Sequence, residues 1–240
     1  MVSSCDVLAI GAHPDDVELG CGGAAARLAA AGRRVAILDL TAGESATRGT
    51  PALRRREAAE AAAILGACWR ECLALPDGRL DAGCEEQAAA LVGVLRVAAP
   101  RVVLSPHPAD PHPDHQAAAG LCERAVFLAG LGAFRPELGA PSRPQLVLCY
   151  PGPRQLLVPD LVVECGAEYE RKRSALAAHR SQFEPARGAA THLASGYFLM
   201  AVEGRDRAAG NTVGAEFGEG LTAAGPVSAD EVAWMLGGVR

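Results

Sequence analysis

Short apolar runs alternate with long stretches rich in alanine and leucine through the first 130 residues, and few folds accommodate that rhythm. Val7-Leu8-Ala9-Ile10 is continuously apolar and stops at Gly11, as a strand buried on both faces does. Val17 to Ala31 reads as a helix closed by Gly32, Val35 to Leu40 as a second strand, and Pro51 to Leu65 as a helix closed by Gly66. A short strand at Cys72 to Leu75, a helix from Glu85 to Ala98, a strand at Val102-Val103-Leu104 and a helix from Asp114 to Leu128 continue the pattern. Beyond Gly130 the rhythm loosens: Gln145 to Tyr150 and Leu161 to Glu164 read as strands and Ala167 to His179 as a helix, while the last fifty residues carry no clear signal. Strand–helix alternation with right-handed crossovers predicts an α/β fold, a three-layer, Rossmann-like, doubly wound and mostly parallel sheet with helices on both faces. No linker divides the chain, so one domain over residues 1–240 is expected.

In the strand order 3-2-1-4 the first and fourth strands flank the point where the winding reverses, and ligands bind outside the carboxyl ends of those strands. The first strand runs into His13-Pro14-Asp15-Asp16, and the fourth leads to His112-Pro113-Asp114-His115. Together these segments offer His13, Asp16 and His115 as three ligands for a divalent metal. Three protein ligands with an open position describe a catalytic zinc site, whereas structural sites close all four. The chemistry implied is metal-assisted hydrolysis. Asp15, beside a ligand, is assigned to a bound water as general base. His112 is expected to face the substrate carbonyl as a cation, with Asp114 holding its charge. The same ligands accept Fe2+ or another divalent ion, so a non-haem iron oxygenase is the rival class. The spare carboxylate Asp15 favours water activation over oxygen activation. A dinucleotide-binding reading of Gly20-x-Gly22-Gly23 fails on spacing, and Asp15 and Asp16 would repel a pyrophosphate. Close helix–sheet packing explains Gly22 and Gly23 better.

The formal charge of −5 argues against nucleic acid as a partner. No apolar run approaches the ~18 residues of a membrane span, and the amino terminus lacks a basic-then-apolar leader; a cytoplasmic protein is expected. The eight cysteines form no Cys-x-x-Cys pair and read as small buried hydrophobes. His107, His179 and His192 stand alone, and surface or packing roles are expected for them.

The segments Ala9-Ile10-Gly11-Ala12-His13-Pro14-Asp15-Asp16-Val17-Glu18 and His112-Pro113-Asp114-His115 resemble the LmbE/PIG-L-like zinc-dependent N-acetylglucosamine deacetylases. Asp39-Leu40-Thr41, the segment from Thr50 to Glu57, Leu75-Pro76-Asp77, Ser181-Gln182-Phe183 and Gly196-Tyr197 are similar to the bacillithiol-biosynthesis branch, which deacetylates N-acetylglucosaminyl malate. The resemblance implies Zn2+ on His13, Asp16 and His115, Asp15 as base, and His112 with Asp114 stabilising the intermediate. It further implies a small-molecule glycoside substrate contacted by Arg54, Asp77 and, at the rim, Tyr197, and a homo-oligomeric protein. The chain departs from the branch at Gly43 to Gly49, at Tyr150-Pro151-Gly152-Pro153 and from Ala223 to Arg240. Those loops would shape the aglycone side of the substrate.

Overall fold

The computed structural model describes residues 1–237; the last three residues of the expected single domain lie outside them. The chain runs β1 (Val7–Gly11), α1 (Asp16–Ala30), β2 (Val35–Thr41), α2 (Pro51–Leu65), β3 (Trp69–Leu75), α3 (Glu85–Ala98), β4 (Val102–Pro106), α4 (Pro113–Ala129), β5 (Leu146–Tyr150), β6 (Leu161–Glu164), α5 (Tyr169–Ala178), α6 (Arg180–Phe183), α7 (Phe198–Asn211), β7 (Gly218–Ala223) and α8 (Ala229–Met235). The strands form one seven-stranded sheet in the order β3-β2-β1-β4-β5-β7-β6. β3, β2, β1, β4 and β5 are parallel, and β7 pairs antiparallel with both β5 and β6. The expected order 3-2-1-4 is therefore the core of a wider sheet.

Alternating side chains of the parallel strands feed two cores. Val7, Ala9, Val35, Ile37, Val102 and Leu104 pack with α1, α2 and α5 on one face. Leu8, Ile10, Ala36, Leu38 and Val103 pack with α3 and α4 on the other. Both faces of β1 are covered, which is why its sequence is continuously apolar.

The element termini follow local chemistry. Thr50 Oγ1 accepts the Leu53 amide at the start of α2, and Gly66 ends that helix in the left-handed conformation at φ 82°. The glycines of α1 serve packing, though not quite as expected. A Cβ at Gly20 would lie 2.1 Å from the Tyr150 ring and one at Gly23 would lie 2.7 Å from Cys165 Sγ, whereas at Gly22 it would make an ordinary 3.4 Å contact. The tight positions are thus 20 and 23. α1 itself is kinked at Cys21, whose φ of −145° is not helical. Glu219 from β7 accepts the freed amides of Gly23 and Ala24 at 3.0 and 2.6 Å. Among the described residues no helix is long and apolar enough to cross a membrane.

Candidate metal centre

β1 and β4 deliver the two histidine–aspartate segments to one place, at their carboxyl ends. One ligand atom from each of His13, Asp16 and His115 lies within 4.8 Å of the others. His115 Nε2 is 3.2 Å from Asp16 Oδ1, and His13 Nδ1 is 3.4 Å from Asp16 Oδ2. The His13 amide also donates to Asp16 Oδ2 at 2.8 Å, which fixes that carboxylate between the two rings. Two imidazoles and one carboxylate are a donor set that divalent zinc or iron accepts.

Each imidazole has a carboxylate behind it. His115 Nδ1 faces Asp110 Oδ2 at 3.1 Å, and His13 Nε2 faces Asp77 Oδ1 at 3.1 Å and Asp114 Oδ2 at 3.3 Å. Such carboxylates orient metal-binding histidines and raise their basicity. His13, Asp77 and Asp114 form a second, overlapping donor group. Their carboxylates are already engaged: Asp114 accepts the amides of Gly78 and Leu80 at 2.7 and 3.3 Å, and Asp77 accepts that of Ser45 at 2.8 Å. The field is strongly anionic. Burial disfavours charge on His115, yet Asp16 and Asp110 raise it to about 10. Burial likewise opposes ionisation of Asp16, but His115 and His13 hold its carboxyl well below the usual range. A site of this charge suits a cation.

The remaining expected residues fall in and around the same cavity, of about 520 Å³, lined by His13, Asp15, Asp16, Arg54, Asp77, His112, Asp114 and His115 among others. Asp15 is 4% exposed. Its carboxylate lies 3.3 Å from Arg54 Nη2. Burial raises its carboxyl above the ordinary value, with Arg54 opposing.

The side-chain geometry departs from the sequence expectation at His112, Asp114, Arg54, Asp77 and Tyr197. Asp114 does not hold the His112 ring. The amides of Gly78 and Leu80 draw its carboxylate toward His13, and it is the Asp114 amide that donates to His112 Nδ1, at 3.2 Å, as the cap of α4. A ring nitrogen that accepts a hydrogen bond carries no proton of its own, so His112 presents Nε2–H as a neutral donor rather than a cation. Consistently, burial and the neighbouring His115 and His13 lower its pKa. Arg54 is 3% exposed. It donates to the carbonyls of Gly43 and Pro14 at 3.1 and 3.2 Å, so much of its fork is spent within the protein. Tyr197 is 61% exposed and stands outside the cavity wall, its hydroxyl 3.4 Å from His192 Nδ1. Asp77, expected to meet sugar hydroxyls, faces His13.

Sequence reasoning missed other wall residues. Asp110 precedes His112 by two positions, and its Oδ1 accepts the His112 amide at 2.8 Å. Its place in the same histidine–aspartate segment was the available signal. His192, Gln182 and Arg48 also line the cavity. Gln182 arrives because Ser181 is fixed to Glu57 of α2 through its amide and hydroxyl at 2.8 and 2.6 Å. His179, as expected, is a packing residue, fully buried with Nε2 3.2 Å from Glu18 Oε1.

Comparison with known proteins agrees with this geometry. Residues 8–126 match the PIG-L family, described as GlcNAc-PI de-N-acetylase. The chain is 35% identical over 188 residues to a diacetylchitobiose deacetylase of Thermococcus kodakarensis, covering 74% of this chain and 70% of that protein. It is 33% identical over 168 residues to a 1D-myo-inositol 2-acetamido-2-deoxy-alpha-D-glucopyranoside deacetylase of Streptomyces avermitilis, covering 56% of this chain and 57% of that one. Among solved structures, the conserved protein TT1542 of Thermus thermophilus is similar with a TM-score of 0.85 at 39% identity, over 93% of this chain and 96% of that chain. The chain spans less than two thirds of the length of two curated relatives it matches, 62% and 57%.

Proposed function

This chain belongs to the PIG-L family, and on that premise we propose that it is a metal-dependent hydrolase that removes the N-acetyl group from an N-acetylglucosamine conjugate, N-acetylglucosaminyl malate in the first instance. The observation that carries this reading is the convergence of His13, Asp16 and His115 beside a buried carboxylate, Asp15, that none of the three uses. His13, Asp16 and His115 would hold Zn2+ or Fe2+, which when bound would supply Lewis acidity toward the acetyl carbonyl and an attacking water.

The protein groups then divide the work. Asp15, held by Arg54, takes the proton of the attacking water as the new C–O bond forms. His112 Nε2–H donates to the carbonyl oxygen as it gains charge, the electrostatic role that most lowers barriers of this kind. As the C–N bond breaks, Asp15 returns its proton to the departing nitrogen, leaving acetate and the free amine. Asp110, Asp77 and Asp114 keep the two ligand imidazoles aimed. The relatives named above as deacetylases of acetylated glucosamine compounds support the acyl group and the sugar.

The test is acetate release by the zinc- or iron-loaded protein from N-acetylglucosaminyl malate, set against diacetylchitobiose and plain N-acetylglucosamine. Release from the malate conjugate at the highest kcat/KM is expected. Absence of acetate from all three with either metal would overturn the reading.

A further inference from the structure

Two of the most exposed apolar side chains stand on one bare stretch of backbone. Val158 is 93% exposed and Leu156 is 85% exposed. Both belong to Arg154-Gln155-Leu156-Leu157-Val158-Pro159-Asp160, which links β5 to β6 and lies in no helix or strand. Burial nevertheless alternates along it with the period of a strand: Arg154, Leu156, Val158 and Asp160 are exposed, while Gln155, Leu157 and Pro159 are half-buried. The amides and carbonyls of Leu156, Leu157 and Val158 make no hydrogen bond among the described residues. The stretch is anchored at both ends. Arg205 of α7 donates to the Pro151 and Gly152 carbonyls at 3.4 and 3.0 Å, and Gln155 Oε1 accepts the Gly152 amide at 3.1 Å. At the far end the Asp160 amide donates to the Leu221 carbonyl at 2.9 Å, and Asp160 Oδ2 accepts the Ala223 amide at 2.9 Å. An anchored, strand-like stretch with open backbone groups and exposed apolar side chains is a template for pairing with another chain.

The charges at its ends select that chain. Arg154 and Asp160 are exposed and stand three positions either side of Leu157. Two copies running antiparallel about a two-fold axis at Leu157 would set Arg154 against Asp160 of the second copy at both ends, and Leu156 against Val158. A parallel pairing in register would instead oppose like charges, so the same residues favour one direction and penalise the other. Arg154 has no ion pair within its own chain among the described residues, and it lines the cavity beside Pro153. We propose that this segment pairs antiparallel with its own copy, so that the chain forms a two-fold dimer in which each cavity rim receives Asp160 of the second copy next to Arg154. Burial of Leu156 and Val158 supplies the affinity, and the charges set direction and register. The pairing is independent of the chemistry in the cavity.

The experiment is analytical ultracentrifugation of the full chain over a concentration series, which gives its mass and dissociation constant. The native protein is expected to pass from the monomer toward even-numbered assembly as concentration rises through the micromolar range. Leu156→Ser combined with Val158→Ser, at positions too exposed to support the fold, should raise the dissociation constant at least about tenfold, the scale of losing one buried aliphatic side chain. Arg154→Glu alone should weaken the pairing by opposing like charges, and adding Asp160→Arg should recover most of that loss, because the exchanged charges still meet across the axis. Circular dichroism checks that each variant is folded; the serine variant decides the matter if the charge exchange unfolds the chain. A native chain that stays monomeric into the millimolar range, an assembly that the serine variant leaves intact, or a folded charge-exchanged variant without recovery overturns the pairing.

Discussion

Asp15 and Asp16 are neighbours in the chain whose carboxylates diverge because different partners capture them. The His13 amide and the two imidazoles hold Asp16, while Arg54 pairs with Asp15. The expected consequence is separable. Asp15→Asn should keep its metal, measured by elemental analysis, and lose ~10²–10⁴ in kcat, the usual worth of a general base; near-native turnover would remove Asp15 from the chemistry. Asp110→Ala should instead loosen the metal about 10–100-fold in a chelator competition, the typical effect of losing a carboxylate behind a ligand histidine. The convergence of the candidate ligands was legible because two dense His–Asp segments follow two strands. The targets of Asp114, Asp77 and Arg54 were not. Spacing brings such side chains to a crevice, but their direction is set by backbone groups at 43–45 and 78–80 that only the folded loops supply.

At the scale of elements, α1 carries the most consequential detail. Its kink frees the amides that Glu219 caps, and Glu219 is in turn paired with Lys172, the chain's only lysine, at 2.5 Å. Lys172 also meets Asp206 at 2.6 Å, so α1, α5, α7 and β7 share one buried ionic knot. Lys172→Met should destabilise the protein by about 3–5 kcal/mol in denaturant unfolding, because it leaves Glu219 buried with no counter-ion and Asp206 with Arg205 alone. Gly20→Ala should cost about 1–3 kcal/mol through overpacking against Tyr150, whose hydroxyl holds the Ile10 carbonyl at 2.7 Å at the end of β1. A Gly20→Ala melting temperature equal to that of the native protein would show that the ring yields freely. The parallel strands were readable because burial on both faces forces apolar runs. β7, Gly-Glu-Gly-Leu-Thr-Ala, was not, since its core-facing charge is intelligible only beside Lys172.

In the whole molecule, buried charge sits between the sheet and its helices beneath the cavity, and this gives a pH signature. Burial disfavours the Glu18 carboxylate, yet Arg70 and His179 hold it down to about 2 against an ordinary 4.5. Its stabilising contribution is present above 4.5 and is lost as pH falls toward 2. Thermal stability should therefore decline across that window, and Glu18→Gln should flatten the decline. Topology explains why the site is where it is: β1 and β4 are neighbours on either side of the reversal in winding, so the segments that leave them meet. α6 and the segment that follows it then bring Gln182 and His192 to the cavity wall around that meeting point. The most direct test is anomalous diffraction at the zinc edge from zinc-soaked crystals. The account predicts one peak bonded to His13, Asp16 and His115 at ~2.0–2.2 Å, as zinc–nitrogen and zinc–oxygen bonds require. A peak seated instead on His13, Asp77 and Asp114, or no peak in the cavity, would contradict it.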